Sequence, residues 1–204
     1  FGIKSALNKN SFFDRFTGQL SLLSFSMPSF YLALLLVLVF SINFEILPIA
    51  GLHSVPDDGS FAYYLDYAWH LVLPIFIIVF GGIGSLILYI RSLTIEILKS
   101  DYIFFAQARG LSQKQILRYY ILPNLYPPVI TLLGLSLPGI IGGSVILETI
   151  FSIDGMGLLF YQSALSHDYP VIMGILIIGA FLTLIGNMFA DLILLKLNPN
   201  YNEK

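Results

Sequence analysis

Four long apolar runs dominate this sequence. They lie at about residues 25–44, 70–90, 125–147 and 169–195. A helix of about 20 apolar residues is long enough to cross a hydrocarbon core roughly 30 Å thick. We therefore predict an all-α integral membrane protein with about four transmembrane helices, in one transmembrane domain that covers residues 1–204.

The composition excludes several other classes of protein. Charged residues make up 11% of the chain, whereas soluble domains carry roughly 25%. The net charge of −2 gives no basis for nucleic-acid binding, and the chain has no cysteine for disulfide or thiolate chemistry. His53, His70 and His167 are too widely spaced for a metal motif, and no histidine lies deep in a run to activate a serine. We predict no catalytic residue, no metal site and no enzymatic activity.

Lysine and arginine are unevenly distributed along the chain. All 10 lie before the first run, between the second and third runs, or after the fourth run. The loops at 45–69 and 150–168 contain none. Because short loops rich in Lys and Arg stay on the cytoplasmic side of a membrane, both termini and the loop at 91–124 are predicted to be cytoplasmic.

The cytoplasmic loop has a pattern of helix, break and helix. Asp101 is predicted to cap the first helix, and Gly110 to end it in a left-handed conformation. Ser112 and Gln115 have the spacing of a capping box at the start of the second helix, which Pro123 is predicted to end. Such an elbow can lie on lipid head groups or dock a cytoplasmic partner, and composition alone leaves both open.

The stretch Ala106–Ser112, followed by Leu122–Asn124, resembles the cytoplasmic "EAA" loop of ABC importer permeases, in the variant of the oligopeptide, dipeptide and nickel permeases. Further phrases agree in order: Asp14-Arg15, Ser26–Phe30, Leu47–Gly51, His70–Pro74, Arg91-Ser92, Asp101-Tyr102, Gly142–Ser152, Gly155–Gly157 and Asp168–Val171. The resemblance covers nearly the whole chain. It implies the type I ABC importer permease fold with a cytoplasmic coupling-helix loop.

The sequence departs from the family pattern in four places. Phe104 stands where the general pattern has an acidic residue, and Asp154 where the family usually has proline. Residues 198–200 read Asn-Pro-Asn in place of Asp-Pro-Arg. Family members usually have about six spans, and the match begins near the end of the second. We therefore expect roughly two N-terminal spans to be missing from this chain.

The resemblance also implies a function. The chain would be a permease subunit of an ATP-driven importer, for di- or oligopeptides, in the cytoplasmic (inner) membrane of a bacterium or archaeon. Its partners would be a second homologous permease, cytoplasmic ATPase subunits, an extracytoplasmic substrate-binding protein and membrane lipid. No cofactor would bind this chain, because it has no phosphate-binding Gly-x-x-x-x-Gly-Lys motif and ATP would bind the partner ATPase.

Two groups of site residues follow from this interpretation. The predicted ATPase-docking residues are Asp101, Tyr102, Ala106, Ala108, Arg109, Gly110, Leu111, Ser112, Pro123 and Asn124. A translocation path or gate is predicted at Gly142, Gly143, Ser144 and Glu148. Glu148 is an ionisable residue at the outer end of the third run, where it is either functional or a carboxylate wetted from outside.

A secondary transporter or channel remains the alternative. Helices broken at Gly81-Gly82 and Gly142-Gly143 would then line a site near the middle of the membrane. The near absence of charge for ion coupling within the runs, and the lack of an evident inverted repeat, argue against it. The substrate also stays open, because the family that the chain resembles transports dipeptides, oligopeptides and nickel.

Overall fold

The computed structural model describes the backbone of residues 1–197 and the side chains of that range apart from 137, 138 and 140–142. The family phrase at residues 198–200 therefore lies outside the described residues. Within the described range the chain is helical and contains no strand. The helices are α1 (Gly2–Leu7), α2 (Phe12–Ser26), α3 (Ser29–Leu36), α4 (Phe61–His70), α5 (Val72–Leu98), α6 (Asp101–Ala108), α7 (Gln113–Ile116), α8 (Leu122–Gly142), α9 (Val145–Ile150), α10 (Met156–Leu165) and α11 (Tyr169–Leu197). The prediction of an all-α protein is confirmed.

Two of these helices continue into wider π-helical turns. The helix α3 is followed by a π-helical segment at Val37–Asn43, and α7 by one at Leu117–Ile121. The second segment leads directly into α8. Residues 113–142 are therefore helical throughout, although the hydrogen-bond pattern changes along the way.

Within the described residues, two helices are long and apolar enough to cross a membrane, α5 and α11. A third span is formed if α2 and α3, together with the π-helical segment that follows α3, are counted as one bent span. That pair is bent by 99°, where Pro28 holds an extended backbone between its helices. The second and fourth predicted runs thus correspond to α5 and α11. The third run is divided between α8 and α9, because Gly143 has φ of 63°. The total of four spans stays a prediction.

The chain forms two compact units. Unit 1 contains residues 1–22, 84–138 and 180 onward, and unit 2 contains residues 23–83 and 139–179. The nine Lys and Arg residues within the described range 1–197 all belong to unit 1, and unit 2 has none.

Each unit has its own apolar core. The buried core residues of unit 1 are Ile103, Ala106, Ile116, Ile121 and Leu125. Those of unit 2 are Leu32, Ala33, Val37, Leu73, Ile77, Leu147 and Phe151. Helices α8 and α11 also approach closely in unit 1, since a Cβ at Gly134 would lie 2.8 Å from the carbonyl oxygen of Gly186. Small residues allow such close packing between membrane helices.

Candidate functional site

The first helix of the cytoplasmic elbow begins one residue later than the sequence pattern suggests. Ser100 is the N-cap, with an extended backbone at φ −74° and ψ 149°, and Asp101 is the first helical residue. The prediction that Asp101 caps this helix is therefore wrong. Its carboxylate instead lies in the first turn, where the positive end of the helix dipole favours a negative charge.

The turn after α6 is a Schellman motif, which ends the helix through backbone hydrogen bonds. The amide of Gly110 donates to the carbonyl of Gln107 over 2.9 Å, and the amide of Leu111 donates to the carbonyl of Ala106 over 3.2 Å. Gly110 has φ of 79°, a conformation that costs glycine little. The predicted left-handed Gly110 is confirmed.

The second helix of the elbow begins with the predicted capping box. The amide of Gln115 donates to Ser112 Oγ over 3.4 Å, and the amide of Ser112 donates to Gln115 Oε1 over 2.8 Å. At the start of α7, the side chain of each residue thus accepts a hydrogen bond from the backbone amide of the other. The capping box and the Schellman motif together fix the backbone from Ala106 to Gln115.

Pro123 does not end the second helix, and that prediction is wrong. The chain passes from the π-helical segment Leu117–Ile121 into α8 without leaving helical geometry. Proline lacks an amide hydrogen, and in an α-helix its ring clashes with the carbonyl four residues earlier. The wider turns before Pro123 relax this constraint, since the amide of Leu122 donates to the carbonyl of Leu117, five residues earlier.

The structure exposes most of the predicted docking residues. Ala106 is only 2% exposed and belongs to the core of unit 1, and Leu111 is partly buried against that core. These two side chains hold the elbow together and are not available to a partner. The other eight are exposed: Asp101, Tyr102, Ala108, Arg109, Gly110, Ser112, Pro123 and Asn124.

Three large aromatic side chains on the elbow are exposed, although none of them was among the predicted docking residues. Phe104 is 67% exposed, Phe105 is 62% exposed, and Tyr119 is 62% exposed. The rings of Phe104 and Phe105 meet edge to face, with centroids 5.8 Å apart. Helical spacing in the sequence could have indicated two of these rings. When Ile103 and Ala106 face the core, Phe104 and Phe105 between them face outward.

Basic side chains accompany these aromatic rings. Arg109, Lys114 and Arg118 are all exposed on the elbow. The guanidinium of Arg118 lies 6.0 Å from the ring centre of Tyr119, within the range of cation–π attraction. The elbow thus combines apolar rings with positive charge, a surface suited to a partner with apolar and acidic groups.

A partly buried ion pair, between buried Asp14 and half-buried Arg91, joins the N-terminal segment to α5 within unit 1. The carboxylate of Asp14 accepts from Arg91 Nε over 2.7 Å and from Arg91 Nη2 over 2.9 Å. It also accepts from the amide of Asn10 over 2.9 Å and from the hydroxyl of Ser5. Asp14 and Arg91 were only parts of matching phrases in the sequence, and their partnership across 77 positions gave no local signal.

The predicted path or gate residues lie in unit 2, around the break between α8 and α9. Gly142 is the last residue of α8, Gly143 has positive φ, and Ser144 caps α9 by accepting from the amide of Leu147. Glu148 is buried, with 8% of its surface exposed. Its carboxylate accepts from the amides of Ser144 and Leu158, so the interpretation of Glu148 as an interfacial carboxylate wetted from outside is not supported.

A serine, a histidine and an aspartate also meet in unit 2. His70 Nε2 lies 3.1 Å from Ser54 Oγ, and His70 Nδ1 lies 2.8 Å from the backbone oxygen of Asp66. The Asp66 carboxylate accepts from the amide of Ser54 over 2.5 Å. These contacts hold the loop before α4 against that helix. Among the described residues, no group of three or more His, Asp or Glu side chains is arranged to hold a metal ion.

The comparisons with known proteins agree on one family. The family model described as "Binding-protein-dependent transport system inner membrane component" matches residues 1–203. The oligopeptide transport system permease protein AppB of Bacillus subtilis is 36% identical over 199 residues, which cover 98% of this chain and 62% of the relative. The dipeptide transport system permease protein DppB of Lactococcus lactis is 34% identical over 198 residues, covering 97% of this chain and 61% of the relative.

A third relative is named for the transport of peptidoglycan. The peptidoglycan transport system permease protein YejB of Agrobacterium fabrum is 32% identical over 203 residues, covering 97% of this chain and 56% of the relative. The chain thus spans about three fifths of the length of the curated relatives that it matches.

Proposed function

The chain belongs to the family of binding-protein-dependent transport system inner membrane components, and from that membership we propose that it is a permease subunit of an ATP-driven importer of di- or oligopeptides. The names of its relatives carry the proposal, because they are permease proteins of oligopeptide and dipeptide transport systems. In such a machine the permease supplies the path through the membrane. ATP is bound and hydrolysed by separate subunits.

The elbow of α6 and α7 is the proposed dock for the ATPase. Its backbone is fixed by the Schellman motif and the capping box, and the rings of Phe104, Phe105 and Tyr119 are exposed. Exposed aromatic rings beside basic groups are typical of the anchors of a protein interface. Since residues 113–142 are helical throughout, a push on the elbow would be transmitted into α8 as movement of a rigid element.

The protein is a multi-pass membrane protein, and its family consists of inner membrane components of transport systems. Both termini and the elbow are proposed to face the cytoplasm. The distribution of positive charge supports this orientation, because all nine Lys and Arg residues within the described range belong to unit 1, which contains the elbow. Since the chain has no cysteine, Ser112→Cys and Ser166→Cys should each give one reporter. We expect an impermeant maleimide added to intact cells to label only the second.

The translocation path or its gate is proposed to run beside residues 142–148, where α8 ends and α9 begins. The helix break at Gly143 supports this placement, because irregular backbone within a membrane protein occurs where it is buried or lines a cavity. The second homologous permease would face this segment and close the other side of the path.

Purification of the native complex tests the proposal. The chain is tagged, the membrane is extracted in mild detergent, and the proteins that remain bound are identified. We expect stoichiometric ATPase and a second permease. Recovery of the chain alone or as a homo-oligomer would favour a secondary transporter or channel.

A pair of matched variants tests the dock itself. The double variant Phe104→Ala/Phe105→Ala removes the exposed ring pair and should lose the ATPase while keeping the second permease. The control is Tyr161→Ala, which removes a ring that is 49% exposed in unit 2. This control should retain both partners. Loss of the ATPase from both variants alike would assign the effect to general destabilisation.

A further inference from the structure

Glu148 is a buried carboxylate whose two oxygens are both used within unit 2. Oε1 accepts from the amide of Ser144 over 3.0 Å, and Oε2 accepts from the amide of Leu158 over 2.6 Å. Ser144 is the N-cap of α9, and Leu158 lies in the first turn of α10. One side chain therefore connects the turn after α8 with the start of α10, where Leu158 lies ten residues beyond Glu148 in the chain.

Two glycines make room for this carboxylate. A Cβ on Gly143 would lie 1.8 Å from Glu148 Oε1, and a Cβ on Gly155 would lie 2.4 Å from Glu148 Cδ. Both distances are impossible for real atoms, so neither position tolerates a side chain while Glu148 occupies its site. At Gly155 the space alone decides this, because its φ of −100° suits any residue.

The chemistry of the site suits a side chain with two acceptor oxygens. Two backbone N–H groups donate to the Glu148 carboxyl group from opposite ends of the turn, one to each oxygen. A glutamine at this position would have only one side-chain oxygen, which could face one of the two backbone N–H groups. Its NH2 group would face the other backbone N–H group, so that two donors would meet without an acceptor. The two donors are the amide of Ser144, the N-cap of α9, and the amide of Leu158, in the first turn of α10. Hydrogen bonds to ionised groups are stronger than those between neutral groups.

We propose that Glu148 is a positioning residue of the import path, whose carboxylate fixes the turn from Gly143 to Leu158 and does not contact substrate. This inference rests on the proposed function, because it concerns the segment assigned there to the path or gate. Glu148 is only 8% exposed and each of its oxygens accepts a backbone hydrogen bond, so its carboxylate is directed into the turn. The shape of the turn, and not the charge of the carboxylate, is what the path uses.

The first experiment measures opening of the turn without relying on transport. Ser163 on α10 is buried and Ser166 is exposed, and the chain has no native cysteine. In the complete transporter, Ser163→Cys should react slowly with a maleimide and Ser166→Cys rapidly. Adding Glu148→Gln should accelerate labelling of position 163 about tenfold or more, as expected for loss of a hydrogen bond to a charged group. Labelling at 166 should stay unchanged. An unchanged rate at 163 would overturn the proposal.

A double-mutant cycle tests whether the glycine serves the carboxylate. Gly155→Ala should accelerate labelling of position 163 as Glu148→Gln does, whereas the control Gly174→Ala, where a Cβ meets open space, should not. In a Glu148→Ala background the clash is gone, so Gly155→Ala should add less than a twofold change. Additive effects of the two substitutions would refute the link between these residues.

Peptide uptake separates positioning from substrate binding. Glu148→Gln should lower the maximal uptake rate about tenfold and leave KM unchanged, because the substrate would not touch the residue. A raised KM with an unchanged maximal rate would show direct contact and overturn the proposal. Failure of the proposed function would be seen separately, as absence of ATP-dependent peptide uptake by the transporter with native Glu148, while the labelling experiments would still report on the turn.

Discussion

Substitution of Gly110 tests whether the elbow docks through its surface charge. A Cβ at this position meets nothing within 4 Å, so a new side chain projects into open space. The backbone has φ of 79°, which aspartate and asparagine tolerate better than other non-glycine residues. Gly110→Asp and Gly110→Asn therefore impose the same shape and a similar backbone strain, and they differ only in one negative charge.

The sizes of the two effects can be estimated. A left-handed conformation costs a non-glycine residue roughly 1 kcal/mol, and both variants carry this cost. A partner that recognises the exposed Arg109, Lys114 and Arg118 presents acidic groups, so a carboxylate at position 110 meets like charge. A contact of like charges across an interface costs several kcal/mol, and each 1.4 kcal/mol changes Kd tenfold. We expect Gly110→Asp to weaken ATPase binding at least tenfold and Gly110→Asn less than threefold.

The assay is titration of the ATPase onto the permease complex in detergent, together with ATP-dependent peptide uptake. Raising the salt concentration should narrow the gap between the two variants, because exposed charges are screened. Both variants should reach the membrane in the same amount as the native chain. Equal ATPase affinity for Gly110→Asp and Gly110→Asn would refute the electrostatic reasoning, and normal uptake with Gly110→Asp would count strongly against the dock itself.

Three further predictions concern stability, measured by thermal unfolding in detergent or by hydrogen exchange. Gly134→Ala places a Cβ 2.8 Å from a neighbouring backbone oxygen, whereas the Cβ of the control Gly139→Ala meets open space. Gly134→Ala should therefore be less stable than Gly139→Ala by about 1–3 kcal/mol. Equal stabilities of the two variants would contradict the close crossing of α8 and α11. Asp14→Asn leaves Arg91, which is 28% exposed, without its carboxylate and should cost about 2–4 kcal/mol, part of which Arg91→Gln in the same chain should restore. Ser112→Ala removes a helix cap and should cost about 1 kcal/mol, with faster hydrogen exchange at the amide that the serine accepts from.

The features of the elbow that depend on nearby residues could be predicted from the sequence. A glycine at a helix end and a Ser-x-x-Gln pattern each describe contacts between residues at most five positions apart, and both were found. The errors were also local. Ser100, and not Asp101, occupies the N-cap position of α6, although both residue types favour that position. Pro123 lies within a continuous helix because π-helical turns precede it, a detail that proline alone does not signal.

Contacts between distant residues could not be predicted. The partnership of Asp14 with Arg91 depends on α1 and α2 lying against α5, and neither residue indicates its partner. Glu148 was recognised as unusual because it is ionisable and lies in an apolar run, but its hydrogen bond to Leu158 needs the turn between α9 and α10. The run at 125–147 is continuous in hydropathy. Its sequence indicated a break at Gly142-Gly143 only under the alternative of a secondary transporter or channel, and the positive φ of Gly143 shows that the run divides there.

The elbow owes its shape to backbone hydrogen bonds and a few buried aliphatic side chains, whereas its outward rings and cations take little part in that shape. Form and recognition are therefore carried by different sets of residues. Paralogous transporters in one cell can then diverge at positions such as Phe104 and Tyr119 without refolding the loop. If the elbow is the proposed dock, a complementary exchange of outward residues on this chain and on the ATPase should create a pair that ignores the native partners.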